Sequence, residues 1–208
     1  MKFYLSSQKL GSKSQDLVRL MASNKKIGYI PNACDFTNAD IERKKASNNR
    51  DINELSNLGL EVEILDLKKY FGKKEELAKK LDRLGGVFVR GGGVFILRQA
   101  MRLSGFDEAF KKLLGRDNFV YAGYSSGICV LGPDLRALQN ADNVSDKPYK
   151  ELQETVWEGL GYLDHMILPH YQSPDNPESA RIEMDAKYCK KNKIPFKRLR
   201  DGEVIIIE

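Results

Sequence analysis

A serine stands between two glycines in the stretch YAGYSSGICVL, residues 121–131, where an apolar run changes its periodicity. The apolar residues 119–122 have the pattern of a strand and residues 126–131 can begin a helix, so Ser125 falls at a strand-to-helix turn. On such a turn a serine hydroxyl can attack an acyl carbon, provided that small neighbours relieve the crowding. The amide of Ser126 would then help to bind the oxyanion. The alternative is a glycine-rich corner without chemistry.

A serine hydroxyl is a weak nucleophile at neutral pH and needs a general base. The chain has two histidines, His165 and His170, in the stretch LDHMILPH. Because side chains alternate along a strand, an odd separation turns the two rings to opposite faces. His170 opens the loop at the carboxyl end of the predicted strand, where parallel sheets bind their ligands, so we expect His170 to be the base. The alternative for either histidine is a surface or hydrogen-bonded structural role.

Three consecutive glycines, Gly91 to Gly93, follow the apolar run 87–89. Without side chains, the backbone amides of this loop can approach a substrate and point at developing negative charge. We therefore expect the loop to complete an oxyanion hole for Ser125. A phosphate site is a competing interpretation, but the GKS or GKT ending of a P-loop and the GxGxxG pattern are both missing. A tight turn without a ligand is the other alternative.

Length and composition favour one domain over residues 1–208, with a single well-filled core. Hydrophobic residues make up 41% and charged residues 30%, and no run approaches the roughly 18 apolar residues of a membrane span. The first residues lack a secretory core segment. Three widely spaced cysteines without a CxxC pair favour neither disulfides nor zinc, and a reducing cytoplasm fits them. The net charge of +5 is interspersed with acidic residues, so we expect no nucleic-acid partner.

Strands and helices alternate in the predicted order. Apolar, β-branched and aromatic runs predict strands at residues 3–5, 27–30, 62–65, 87–89, 119–121, 166–168 and 204–207. Amphipathic stretches predict helices at residues 39–58, 74–84, 95–103 and 178–191, with loops at 133–149 and 172–177. Parallel strands need crossover connections, so the alternation indicates an α/β fold with a doubly wound, mainly parallel sheet and helices on both faces.

Taken together, these motifs resemble the peptidase E group of serine peptidases, the aspartyl dipeptidases, to which cyanophycinases are more distantly related. The matching pieces are LSS near the start, Ile30-Pro31, RGGGVF, GYSSGI, LPHY and LRDGEVI. They follow the family's order and span nearly the whole chain. The resemblance implies a sheet like that of the class I glutamine amidotransferases and a Ser-His-acid hydrolase that uses no metal and no cofactor.

The resemblance also assigns roles to residues. It implies Ser125 as the nucleophile, His170 as the base, and the amides of Gly92 and Ser126 as oxyanion donors. The implied acid is Asp201 in the stretch LRDG, and Asp142, in the long loop after the serine, is the less favoured alternative. His170 would take the serine proton during attack and return it to the leaving amine, while the carboxylate holds the imidazole in place.

The expected function is hydrolysis of short peptides, of the dipeptidase or exopeptidase type. A preference for Asp-Xaa dipeptides is the most specific part of this expectation. That preference needs a cation in the first pocket, for which Arg181 is the candidate. Two departures from the family pattern are a glycine loop without its usual asparagine and Ser126 in place of alanine. We expect a small peptide substrate, no membrane partner, and a monomer or small homo-oligomer. An esterase or amidase, or an inert binding module on the same fold, are the alternatives.

Overall fold

A computed structural model of the chain describes residues 1–22 and 24–208. Its strands are β1 (Lys2–Ser6), β2 (Lys26–Ile30), β3 (Glu61–Ile64), β4 (Gly86–Val89), β5 (Val120–Tyr124), β6 (Met166–Leu168), β7 (Phe196–Arg198) and β8 (Val204–Ile207). Six of them form one sheet in the order β3-β2-β4-β5-β1-β8. Neighbours in this sheet are parallel, except that β8 pairs antiparallel with β1. The strands β6 and β7 form a separate parallel pair.

Helices connect these strands and pack on the sheet. They are α1 (Ser14–Leu20), α2 (Ile41–Asn57), α3 (Lys74–Leu81), α4 (Val94–Ser104), α5 (Phe106–Leu113), α6 (Ser126–Cys129) and α7 (Ser179–Lys191). Among the residues described, none of these helices is both long and apolar enough to cross a bilayer.

Two hydrophobic cores lie on opposite faces of the sheet, because successive side chains of a strand point in opposite directions. In β1, Phe3 and Leu5 lie in the larger core and Tyr4 lies in the smaller one. The larger core takes up the apolar faces of α3, α4 and α5, and the smaller core takes up those of α1 and α2. Helices therefore cover both faces, and the prediction of a doubly wound, mainly parallel α/β sheet is confirmed. A single domain over residues 1–208 stays a prediction.

Every predicted strand and helix is present with bounds shifted by a few residues, whereas α1, α5 and β7 were not predicted. The predicted loop 133–149 is more ordered than its composition indicates. It contains a 3-10 turn at Leu135–Leu138 and buries Tyr149 against the larger core. Asp40, one residue after the predicted start of the helix at 39, caps α2 by accepting the Arg43 N–H.

The carboxyl ends of the parallel strands β1, β4 and β5 lie side by side at one edge of the sheet. The register pairs Ser6 of β1 with Tyr124 of β5, and Val89 of β4 with Gly123 of β5. The glycine-rich loop after β4 therefore emerges next to Ser125, and the chain leaving β1 lies on the other side of the serine. This edge is where an open α/β sheet binds its ligands.

Candidate active site

Ser125 occupies a strained turn between β5 and α6. Its backbone has φ +52° and ψ −122°, a conformation that residues with a Cβ rarely adopt. The Ser125 N–H donates to the carbonyls of Ser6 and Ser7, at 3.4 and 3.2 Å, so the end of β1 holds the turn. Such strain persists only where the surroundings fix it, and it concentrates at functional sites.

Both glycines that flank the serine are required by the packing of the turn against β4. A Cβ added at Gly127 would lie 2.1 Å from the Val89 carbonyl oxygen, and one added at Gly123 would lie 2.7 Å from the same atom. Neither approach is sterically tolerable against backbone. This turn exposes the Ser125 hydroxyl only if the residues two positions before and after it have no side chain. The GYSSG motif meets that requirement with Gly123 and Gly127.

The structure brings Ser125, His170 and Asp201 together from three distant parts of the chain. The Ser125 Oγ lies 3.0 Å from His170 Nε2, and His170 Nδ1 lies 2.6 Å from Asp201 Oδ1. His170 follows β6 with φ +58°, and Asp201 lies in the turn between β7 and β8. A proton on Nδ1 that bonds Asp201 leaves the Nε2 lone pair facing the serine hydroxyl.

Two residues that sequence reasoning missed, Ser7 and Asn176, hold the acid and the base. The Ser7 hydroxyl donates to Asp201 Oδ1 at 2.9 Å and accepts the His170 backbone N–H at 2.9 Å. Asn176 Nδ2 donates to Asp201 Oδ2 at 2.8 Å and lies 2.8 Å from His170 Nδ1. Ser7 belongs to the LSS stretch that carried part of the resemblance, whereas Asn176 lies in a predicted loop and has no sequence signal.

The predicted oxyanion donors, the amides of Gly92 and Ser126, lie on the two backbone segments next to Ser125. Gly92 has φ +152°, and a Cβ there would lie 2.3 Å from the Ala33 carbonyl oxygen, so only glycine fits. A Cβ on Gly91 would lie 2.7 Å from the Ser125 Cβ, which shows how closely this loop passes the serine. Within residues 1–22 and 24–208, the N–H groups of Gly92 and Ser126 have no hydrogen-bond acceptor and can both bind a ligand.

The hydroxyl of Ser126 has its own role in the loop. It donates to the Gly92 carbonyl oxygen, so it ties the start of α6 to the glycine-rich loop. An alanine at this position would keep the amide and lose that link. The departure from the family pattern thus adds a contact between the two predicted oxyanion donors.

A cavity of about 390 Å³ opens in front of the serine and is lined by Ser125, His170, Asp142, Glu178 and Arg181, among others. Arg181, the candidate cation for the first pocket, therefore lines the cavity in front of the serine. Its guanidinium lies 3.3 Å from the Glu178 carboxylate, so the positive charge is partly matched. The cavity presents both signs of charge to a bound molecule.

Asp142, the alternative acid, lies in the same cavity but bonds a different group. Its Oδ2 accepts the Val94 N–H at 2.8 Å, at the first residue of α4, and burial raises its pKa to about 7. The Nδ1 of His170 bonds Asp201 instead. The other histidine, His165, has its Nδ1 2.6 Å from the exposed Asp164 carboxylate.

Comparison with known proteins places the whole chain in one family. The profile of Peptidase family S51 matches residues 5–208. A peptidase E of Streptomyces coelicolor is 32% identical over 133 residues, which cover 62% of this chain and 51% of the relative. An uncharacterized peptidase of Listeria monocytogenes serovar 1/2a is 29% identical over 119 residues, covering 57% of this chain and 55% of the relative. The chain spans about half the length of the curated relatives it matches.

Solved structures share the fold over nearly the full chain. A 1.5 Å crystal structure of a candidate peptidase E protein from Listeria monocytogenes EGD-e superposes with a TM-score of 0.73 at 23% identity, covering 99% of this chain and 93% of that one. A peptidase from an acI-B1 Actinobacterium superposes with a TM-score of 0.68 at 14% identity, covering 100% and 83%. At such identities the likeness establishes the fold.

Proposed function

This chain belongs to peptidase family S51, and we propose that it is a serine-type peptidase that hydrolyses short peptides through an acyl-enzyme on Ser125. The observation that carries the proposal is the hydrogen-bonded series in which Ser125 Oγ lies 3.0 Å from His170 Nε2 and His170 Nδ1 lies 2.6 Å from Asp201. A nucleophile, a base and an orienting acid within hydrogen-bond distance are the arrangement that acyl transfer needs.

The proposed reaction proceeds in two halves. His170 Nε2 takes the hydroxyl proton as Ser125 Oγ bonds the scissile carbon, and Asp201 stabilises the imidazolium. The amides of Gly92 and Ser126 donate to the oxyanion. His170 then gives its proton to the leaving amine as the C–N bond breaks. In the second half it takes a proton from the water that attacks the acyl-enzyme, and it returns this proton to Ser125 Oγ as the bond between Oγ and the acyl carbon breaks and the acid leaves.

A preference for Asp-Xaa dipeptides is the most specific part of the proposal. It depends on a positive charge in the 390 Å³ cavity that could pair with the substrate aspartate. Arg181 is the cation there that would pair an aspartate side chain of the substrate. Glu178 competes for the same guanidinium at 3.3 Å. The preference is tested by the ratio of kcat/KM on Asp-Leu to that on Ala-Leu, and a ratio near one would remove it while leaving the peptidase proposal in place.

Ser125→Ala tests the peptidase proposal itself. Because the variant lacks the nucleophile, we expect kcat on a dipeptide library to fall by about three orders of magnitude or more. Ser56→Ala, the same change at an exposed position of α2, is the matched control and should keep the parent rate. A fluorophosphonate probe should label Ser125 in the parent, as mapped by peptide mass. A variant with the parent rate would contradict the assignment.

The same measurements separate the alternatives. An esterase or amidase would turn over p-nitrophenyl esters and leave dipeptides intact, and an inert binding module would leave Ser125 unlabelled.

We also infer a reducing, cytoplasmic setting, since Cys34, Cys129 and Cys189 are free thiols. A monomer or small homo-oligomer stays a prediction.

A further inference from the structure

A second cavity, of about 500 Å³, is lined by Cys34, whose thiol bonds the glycine-rich loop at Gly91. Four cationic side chains line it: Arg43, Lys44, Arg50 and Arg90. The one carboxylate in its wall is that of Asp40. We call this space the arginine cavity.

The arginine cavity adjoins the site around Ser125. Phe36, which is 40% exposed, lines both cavities. The wall between them is one backbone segment thick, because Cys34 Sγ donates to the Gly91 carbonyl at 3.4 Å and a Cβ on Gly91 would lie 2.7 Å from that of Ser125. A peptide bound at Ser125 that extends past Phe36 would therefore enter the arginine cavity.

Two of the four cations are already matched by buried carboxylates. Lys44 pairs with Asp35, and the guanidinium of Arg90 lies 4.0 Å from Asp51. The Asp40 carboxylate is engaged as the cap of α2, where it accepts a backbone N–H.

Arg43 and Arg50 are the cations that are left over. Across residues 1–22 and 24–208, no carboxylate lies within 4.0 Å of either guanidinium. They are seven residues apart on α2 with Ser47 between them, a spacing that puts all three on one face of the helix, toward the cavity. A guanidinium presents paired donors that match a carboxylate, so this face can bind one in a bidentate manner.

We propose that the arginine cavity is a substrate subsite in which Arg43 and Arg50 bind a carboxylate of the peptide whose acyl group reacts at Ser125. The inference rests on the proposed peptidase function and adds a specificity element outside the 390 Å³ cavity. The carboxylate is supplied either by an acidic side chain or by the free C-terminus of a short peptide. Binding of the latter makes the enzyme select short, unblocked peptides.

The double variant Arg43→Gln/Arg50→Gln tests the subsite by kinetics. Loss of charged hydrogen bonds should raise KM about tenfold or more for peptides that carry the recognised carboxylate. Ala-Leu compared with Ala-Leu amide isolates the C-terminal carboxylate, and Asp-Leu amide compared with Ala-Leu amide isolates the acidic side chain. Lys45→Gln, which removes a charge from an exposed position of α2 outside the cavity, is the control and should leave every KM unchanged.

A binding measurement keeps the inference separate from the proposed function. In the Ser125→Ala background, calorimetry gives the Kd of uncleaved Ala-Leu, Ala-Leu amide and Asp-Leu amide with and without the two arginines. Replacing the two arginines should weaken the Kd about tenfold for the peptide whose carboxylate they bind, and should leave the Kd of Ala-Leu amide unchanged. Kd values that stay the same for all three peptides when the two arginines are replaced would overturn the subsite. Absence of turnover by the parent would overturn the peptidase proposal instead.

Discussion

At the scale of single residues, Asn176 is the side chain that bridges the proposed acid and base. Its Nδ2 donates to Asp201 Oδ2 at 2.8 Å and lies 2.8 Å from His170 Nδ1. The side chain is buried, and its Oδ1 accepts the Glu178 N–H, so its orientation is fixed. Asn176 thereby helps to hold the Asp201 carboxylate that His170 Nδ1 bonds, and we infer a positioning role.

Asn176→Ala should lower kcat by about ten- to a hundredfold, because a hydrogen bond to a charged group is worth about 1.5–3 kcal/mol. KM should change less than twofold, since Asn176 does not line the cavity in front of Ser125. Steady-state kinetics on one dipeptide gives both constants. Asn53→Ala, at an exposed position of α2, is the matched control. A variant in which KM rises and kcat is kept would refute the positioning role.

The ends of apolar runs predict Ser125 and His170, and the resemblance of the LRDG stretch implies Asp201. Asn176 has no sequence signal, and Ser7 lies in the LSS stretch, which by itself gives Ser7 no role. A polar residue in a turn has the same local sequence pattern whether it bonds solvent or a catalytic group. Which of the two it bonds depends on how distant segments come together in the fold. The hydrogen bond from Ser7 to Asp201 spans 194 positions of the chain, which no local pattern reports.

At the scale of elements, prediction succeeded where burial imposes a period and failed where an element is short. The strands β4 and β5 are apolar runs buried on both faces, so they stand out. The strand β7 has three residues, two of them exposed, and carries no period. Helix α5 does carry one, since Phe106, Ala109, Phe110 and Leu113 are all buried, and its period could have been detected.

The break between α4 and α5 depends on Gly105, and its replacement gives a test at this scale. Gly105 has φ +76°, and an added Cβ would lie 2.6 Å from the Cβ of Lys74 on α3. Gly59 has a similar φ of +83° with nothing within 4 Å of an added Cβ, so it isolates the backbone strain.

Gly59→Ala should therefore cost about 1 kcal/mol of unfolding free energy from the positive φ alone. Gly105→Ala should cost about 2–3 kcal/mol, because the contact with Lys74 adds overpacking to the same strain. Urea unfolding of both variants gives the comparison. Equal losses would mean that α3 moves away without cost and that the junction does not depend on this approach.

At the scale of the whole molecule, the fold surrounds two carboxyl groups, those of Asp142 and Asp185, that form no salt bridge within residues 1–22 and 24–208. Burial raises the pKa of Asp142 to about 7 and that of Asp185 to about 6, against an ordinary value of 3.8. Asp142 accepts one backbone N–H, and Asp185 accepts bonds from Asn140 while its Oδ2 has no partner in the part of the chain that the structure describes. The folded chain therefore binds these protons more tightly than the unfolded chain does.

Linkage then fixes how stability depends on pH. A carboxyl whose pKa is raised by folding contributes its full stability below about pH 4, and this contribution is lost as the pH rises through 7 for Asp142. Asp142→Asn keeps an oxygen for the Val94 N–H and removes the titration. Each pKa unit corresponds to about 1.4 kcal/mol, and after a reduction for partial exposure we expect the parent to lose about 2 kcal/mol more than the variant between pH 5 and 8.

Urea unfolding at pH 5, 6, 7 and 8 measures that difference, with Asp117→Asn as the control because its carboxylate is exposed. The free energy of unfolding of the variant should increase relative to that of the parent as the pH rises, and the difference between the two should be smallest at pH 5. The gain arises because at pH 8 the parent must hold a charge where burial disfavours it, whereas the amide carries no charge. Parallel pH profiles for parent and Asp142→Asn would show that Asp142 ionises freely in the folded chain, and hence that water reaches it through the cavity in front of Ser125.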